Sequence, residues 1–448
     1  MPAIIGSYGN YLIPTYLGAS EIVYPRINNI SVLIIPKSYA IIISTLICEY
    51  GNGIGWTLYP PLSTSVITSL GIDLILYSLL LLGFSTTLTT INFIVTHHIW
   101  KPILLPLATM DTYIWSLVLI SYMLIIVLPI LTGRILMISW DLHYNTIFFD
   151  PQYGGDPIFY QHIFWFFGHP EVHILIVPGF GLISNILFEH MSVILFGLQS
   201  MILAMRSICY LGCLVWSHHM FTVGIEIDSR AYFMSSTMLI SLPTASKMFN
   251  WIRTYLNTYL MVVKNLSIIY IKMFLIMFTL GGSSGIILGN NVINISLHDT
   301  YYVVSHFHIV LSLGTILAIF IGVSAYQESI FLHIWSITNA ISLYHVKVIL
   351  IGILVTFIPM HYLSFNTHPR RISDFPDSIN WWNSLSSLGC SLTWVSFFVL
   401  ITQSANSIIT SLSVYRLQLI WKVHSSGVIL LGLATSCYLT DNRQELKL

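Results

Sequence analysis

Long runs without Asp, Glu, Lys or Arg recur along this chain of 448 residues, among them 113–133, 174–188 and 348–365. A helix needs about 20 apolar residues to cross a bilayer, and in hydrocarbon only helices and closed barrels satisfy every backbone polar group. Barrel strands alternate in polarity over about 10 residues, whereas these runs are continuously apolar. The expectation is an all-α, polytopic transmembrane helical bundle. Its spans, about ten by that length rule, fall near residues 24–47, 71–96, 111–139, 158–188, 199–220, 231–256, 266–290, 299–325, 335–362 and 379–404.

Composition agrees with a membrane environment. Only 8% of residues are charged and 56% are hydrophobic, against roughly 25% charged in an ordinary soluble domain. Zero net charge without a basic run argues against a nucleic-acid partner. Residues 1–18 are apolar but interrupted by Gly6, Gly9, Pro14 and Gly18, with no basic n-region. They read as a partial helix, so a separate polypeptide is expected to pack against them. The run 427–438 is too short to span, which divides the chain into a membrane domain over 1–405 and a C-terminal extension over 406–448. The five cysteines are an odd number, and most fall within expected spans, which favours apolar burial.

Histidine placement makes the chain specific. Three groups lie inside apolar runs: His169 with His173 in Trp165-Phe166-Phe167-Gly168-His169-Pro170-Glu171-Val172-His173, the adjacent His218 and His219, and His306 with His308. Each residue of a helix advances about 100°, so His306 and His308 point to roughly opposite sides and one helix can serve two metal centres. A single buried histidine is more often a hydrogen-bonded core residue, but polar groups in lipid are costly and tend to be functional. Neutral imidazole suits copper and haem iron, and bundle cores build metal sites from facing helices. His97 and His98, beside Trp100 and Lys101, read instead as an interfacial belt.

Five motifs in this order, namely the segment around His169, Trp216-Ser217-His218-His219-Met220, Pro243-Thr244-Ala245-Ser246-Lys247, His298-Asp299-Thr300 running on to His308, and Pro369-Arg370-Arg371, resemble subunit I of the haem-copper terminal oxidases. The resemblance runs from residue 1 to about 405. It implies that His169, His218 and His219 hold copper B, that His306 is the proximal ligand of the high-spin haem a3, and that His308 is one axial ligand of the low-spin haem a. Trp56, Tyr59, Arg370 and Arg371 match residues near the haem propionates, where a guanidinium fork suits carboxylates. His298 and Asp299 match a magnesium site shared with subunit II. Glu171 matches a proton relay, Lys247 and Thr244 a second proton path, and Glu21 the mouth of the first, with Asn10 and Asn28 matching polar residues along it.

The chain departs from the family at two places. Four residues after the first copper ligand the family has a tyrosine joined covalently to that histidine; here the residue is His173. The family's first helix and a half, with the other axial ligand of haem a, are also missing, so the separate polypeptide is expected to supply that histidine. The resemblance implies oxygen reduction with electrons from cytochrome c through subunit II, proton pumping, a complex with subunits II and III, and a mitochondrial inner membrane, the bacterial plasma membrane being the alternative. A nitric oxide reductase or quinol oxidase relative and an inactive assembly scaffold are the competing readings. Retention of all five carried-over ligands weighs against the scaffold.

Overall fold

The computed structural model describes residues 1–47, 53–64, 70–101, 110–191, 193–257, 266–330, 336–402 and 405; side chains at 327–330 and 336–342 are outside the description, as is the expected extension 406–448. Among the described residues the structure is helical, and the isolated bridge Thr300–Pro369 is its β pairing. Among the described residues eight helices are long and apolar enough to cross a membrane: Pro25–Ile47, Leu70–Trp100, Thr112–His143, Pro157–Met191, Leu266–Gly289, Tyr301–Tyr326, Leu343–Phe365 and Asp377–Thr402.

In chain order the helices are α1 (Tyr8–Leu17), α2 (Pro25–Ser44), α3 (Leu70–Trp100), α4 (Thr112–His143), α5 (Pro157–Met191), α6 (Leu198–Gly212), α7 (Ile227–Leu239), α8 (Ser241–Leu256), α9 (Leu266–Gly289), α10 (Asn291–Leu297), α11 (Tyr301–Phe307), α12 (Gly314–Ile330) and α13 (Ser336–Phe365). Two of the expected spans are broken. The run 199–220 is α6 followed by a 3-10 turn over Trp216–Met220, and 231–256 is divided between α7 and α8 at Ile240. The 3-10 turn's tighter winding carries the adjacent pair His218 and His219.

The centre of the bundle is α4 against α5, with α3, α9 and α12 packed around them. Tyr113, Leu117, Ile120, Leu124 and Val127 of α4 and Ile174, Val177 and Ile183 of α5 are each fully buried. Residues 1–18 pack against the same core. Ile4 is buried, the Tyr113 hydroxyl donates to the Ile4 carbonyl at 2.6 Å, and Tyr8 donates to the Ile319 carbonyl of α12 at 2.8 Å. Tyr8 is therefore turned inward onto α12 of the same chain.

Close helix crossings use small residues, as expected where apolar attraction between helices is replaced by backbone approach. A methyl group at Gly389 would fall 2.5 Å from the Thr356 backbone nitrogen, and one at Gly352 would fall 3.0 Å from that of Thr393. The Gly389→Val substitution should force α13 away from the last span and destabilise the protein by about 1–3 kcal/mol, the usual range for overpacking. A lowered thermal unfolding midpoint of the detergent-solubilised protein checks this, and an unchanged midpoint would contradict the close crossing.

Candidate metal and haem centre

α5 carries His169 and His173 one turn apart, on the same helical face. Pro170 lacks an N–H and leaves the ladder open beside His169; such breaks are tolerated where neighbouring helices cover them. The 3-10 turn brings His218 and His219 against this face. One ligand nitrogen from each of His169, His218 and His219 lies within 4.8 Å of the other two. His169 Nδ1 is 3.1 Å from His219 Nε2, close to the spacing of two nitrogens sharing one ion.

The proton positions fit metal binding. The Thr237 hydroxyl of α7 donates to the Phe233 carbonyl at 2.6 Å, so it accepts from His218 Nδ1 at 3.1 Å and leaves Nε2 with a free lone pair. His306 Nδ1 donates to the Gly281 carbonyl of α9 at 2.9 Å, and His308 Nδ1 to the Val304 carbonyl at 2.8 Å. Both Nε2 atoms are then unprotonated, the orientation seen when a ligating histidine gives its other N–H to a carbonyl. His306 turns toward α9, while the His308 ring lies over Phe357 of α13 at 6.0 Å between centroids. The two faces therefore differ, with α11 ending at Phe307 and a π-helical turn beginning at His308. His306 is within electrostatic range of His169, His218 and His219.

On one flank of this cluster the loop from Gly55 to Pro61 is tied to α5. The Trp165 indole stacks on His219 at 3.9 Å and donates to the Tyr59 hydroxyl at 2.6 Å, and Trp56 meets Trp165 edge-on at 5.8 Å. Arg371 Nη2 donates to Thr57 Oγ1 at 3.3 Å. Arg370 Nε donates to Asp299 Oδ1 at 2.7 Å, with Nη2 on the same oxygen. His298 Nε2 stands 3.7 Å from Asp299 Oδ2. Burial, opposed by the Asp299 carboxylate and reinforced by Arg370, holds His298 below the usual histidine range, which favours its neutral, ligating form. Leu58, Asp299 and Arg371 all have positive φ without being glycine, a strained backbone of the kind that persists when surroundings over-determine it.

The proton-path candidates occupy two other regions. Lys247 is 1% exposed, with Nζ 5.0 Å from the Trp251 ring centroid, 5.6 Å from that of Phe180 and no hydrogen-bond partner, so it does not snorkel to an interface. Thr244, on the same helix, donates to the Ile240 carbonyl. Glu171 Oε2 is likewise buried and unpartnered. Asn10, Glu21 and Asn28 line one cavity of about 440 Å³, and the side-chain oxygens of both asparagines are buried without a partner.

Sequence reading passed over several contributors. Arg134, 1% exposed, donates to Tyr160, whose hydroxyl donates to the Thr57 carbonyl at 2.9 Å. Arg134 is the lone charge between Thr112 and Trp140, and an intramembrane charge is a signal in itself. Thr237 and Gly281 carry no such signal, because only the assembled bundle shows which imidazole they face. His97, expected at an interface, is buried at 5% exposure, while His98 meets Tyr122 at the surface. Cys209 is buried and Cys390 exposed; Cys48 and Cys437 lie outside the described residues.

A family model described as cytochrome C and quinol oxidase polypeptide I matches residues 1–392. The chain is 48% identical over 395 residues to cytochrome c oxidase subunit 1 of Plasmodium falciparum, covering 88% of this chain and 83% of that protein. It is 42% identical over 400 residues to the Eremothecium gossypii protein of the same name, covering 89% and 74%, and 40% identical over 399 residues to that of Pecten maximus, covering 88% and 83%. The cryo-EM structure of a heme-copper terminal oxidase dimer matches with a TM-score of 0.70 at 18% identity, over 90% of this chain and 72% of that one, a likeness of fold.

The Arg134–Tyr160–Thr57 chain gives a direct test. The Tyr160→Phe substitution leaves Arg134 Nη1 and the Thr57 carbonyl without their buried partner, and each such loss costs about 1–3 kcal/mol. The thermal midpoint should fall and the Gly55–Pro61 loop should become more accessible to protease; a loop as resistant as wild type would show that the Trp165 and Arg371 bonds hold it without Tyr160.

Proposed function

The chain belongs to the cytochrome c and quinol oxidase polypeptide I family, and on that premise we propose that it is the catalytic subunit of a terminal respiratory oxidase, reducing oxygen to water with electrons delivered from cytochrome c through subunit II and coupling this to proton pumping. The protein is a multi-pass membrane oxidoreductase of a multi-subunit, haem- and copper-containing complex. The observation that carries the finer reading is the convergence of His169, His218 and His219, with His306 in electrostatic range.

His169, His218 and His219 would hold copper B, His306 the iron of haem a3 and His308 that of haem a. Trp56, Tyr59, Arg370 and Arg371 would receive propionates, and His298 with Asp299 a magnesium ion, which needs few protein ligands because it keeps its waters. When bound, the haems and copper supply the electron transfer and oxygen chemistry, and the protein supplies placement and electrostatics. Glu171, two residues from His169 and with Oε2 buried without a hydrogen-bond partner, is the candidate proton carrier beside the cluster. Lys247 and Thr244 serve a second path, and Asn10, Glu21 and Asn28 admit protons through their cavity. The apolar walls around Lys247 and Glu171 keep protons from passing except through titratable side chains. The complex is assigned to the mitochondrial inner membrane with subunits II and III.

His173 at the family's tyrosine position is the observation favouring the nitric oxide reductase alternative. One experiment separates the readings: optical spectra and turnover of the purified complex with reduced cytochrome c under oxygen or nitric oxide. Haem spectra with oxygen consumption are expected; reduction of nitric oxide in preference to oxygen would overturn the oxidase, and an absence of haem would leave a scaffold. The His218→Ala variant should lose at least about 100-fold in oxygen turnover, since even outer partners of ligands cost 10- to 100-fold. Glu171→Gln keeps the shape but not the exchangeable proton. It should slow turnover by about 100-fold, a typical contribution of a positioned proton carrier, while leaving the haem spectrum unchanged; full turnover would remove Glu171 from the path.

A further inference from the structure

We infer that His173 is the positioning residue for His169: its Nε2 accepts a hydrogen bond from His169 Nε2–H and so commits Nδ1 of His169 to the metal. The inference rests on the copper reading above. The two Nε2 atoms are 2.9 Å apart, and His169 Nδ1 faces His219 Nε2 at 3.1 Å. A neutral imidazole has one protonated and one unprotonated nitrogen. If Nδ1 gives its lone pair to an ion shared with His219, Nε2 carries the proton, and His173 Nε2 stands where that proton must be accepted.

Three other imidazoles, His218, His306 and His308, show the same logic with oxygen as partner. Gly281 fixes His306, Val304 fixes His308 and Thr237 fixes His218, each through Nδ1. His169 is reversed: the nitrogen nearest its fellow ligand is Nδ1, so the outer bond must come from Nε2, and among the described residues it is His173 that meets it. His173 meets the His169 nitrogen other than the one facing His219, and it is outside the group whose ligand atoms converge.

The fold makes room for this imidazole. A methyl group at Gly212, the last residue of α6, would fall 2.6 Å from His173 Cδ2. Any side chain at 212 must therefore displace the His173 ring. In place of the covalent link to a phenol that the family uses, this chain places a hydrogen bond behind the same ligand.

The test uses the assembled oxidase complex, titrated with a Cu(I) chelator while copper release is followed. His173→Leu should weaken copper retention by about 10- to 100-fold, the usual effect of removing a ligand's outer partner. His173→Gln should restore most of it, because the amide oxygen accepts the same bond. Gly212→Ala should weaken retention while leaving every imidazole in the sequence. Retention by His173→Leu equal to wild type, or loss in His173→Gln as large as in His173→Leu, would overturn the inference. Should the leucine variant not assemble, a high-resolution map of the unmodified complex decides: three imidazoles on copper with His173 bonded to His169 supports it, and His173 on the ion overturns it. Unmodified complex lacking copper at the three imidazoles would instead sink the functional reading.

Discussion

A buried imidazole must place two nitrogens, one donor and one acceptor, in surroundings without water, and the centre of this bundle is organised by that requirement. An unmet polar group in an apolar interior costs on the order of 1–3 kcal/mol. At His218, His306 and His308 the donor is met by a hydroxyl or a carbonyl of the bundle. The acceptor is then the remaining valence, and a metal is the partner that satisfies several acceptors at once. The arrangement is more costly without the ion than with it, so metal affinity and folding are coupled.

Regular α-helices alone do not bring these rings together. His169 precedes a proline inside α5, His218 and His219 lie on a 3-10 turn, and His308 opens a π-helical turn. The 3-10 and π-helical turns depart from regular α winding, whereas α5 stays α-helical through Pro170. Irregular winding concentrates at functional positions in helices. Long regular spans such as α4 supply the rigid frame, with its fully buried face against α5.

The spans and the histidine ligands are legible in the sequence because they rest on periodic or local signals: apolar run length, and imidazole in a segment where charge is costly. Where the signal is non-local, it fails. The breaks after α6 and between α7 and α8 interrupt apolar runs that read as continuous. Residues 1–18 read as packed against a separate polypeptide, and nothing local to Tyr8 shows that α12 accepts its hydrogen bond. Arg134 is readable as a lone intramembrane charge, yet its partner Tyr160 in turn donates to the Thr57 carbonyl, 103 residues from Tyr160 in sequence. Asn10, Glu21 and Asn28 come from one short stretch of chain, but only the turn between α1 and α2 shows that they share a cavity.

Trp165 joins the two halves of the site. Its ring stacks on His219 while its N–H is held by Tyr59, on a loop that Tyr160 also grips through Thr57. That loop in turn accepts Arg371, and Arg370 is bonded to Asp299 beside His298. Close-packed interiors transmit strain because their side chains have few alternative rotamers. A shift of Arg371 is therefore passed to the loop through Thr57, whereas Arg370 is bonded to the half-exposed Asp299. The stacking plane of Trp165 in turn limits how far the His219 ring can rotate. The position of one copper-ligand candidate is thus set jointly by an intramembrane helix and by an arginine-bearing loop, two regions that no local sequence pattern connects.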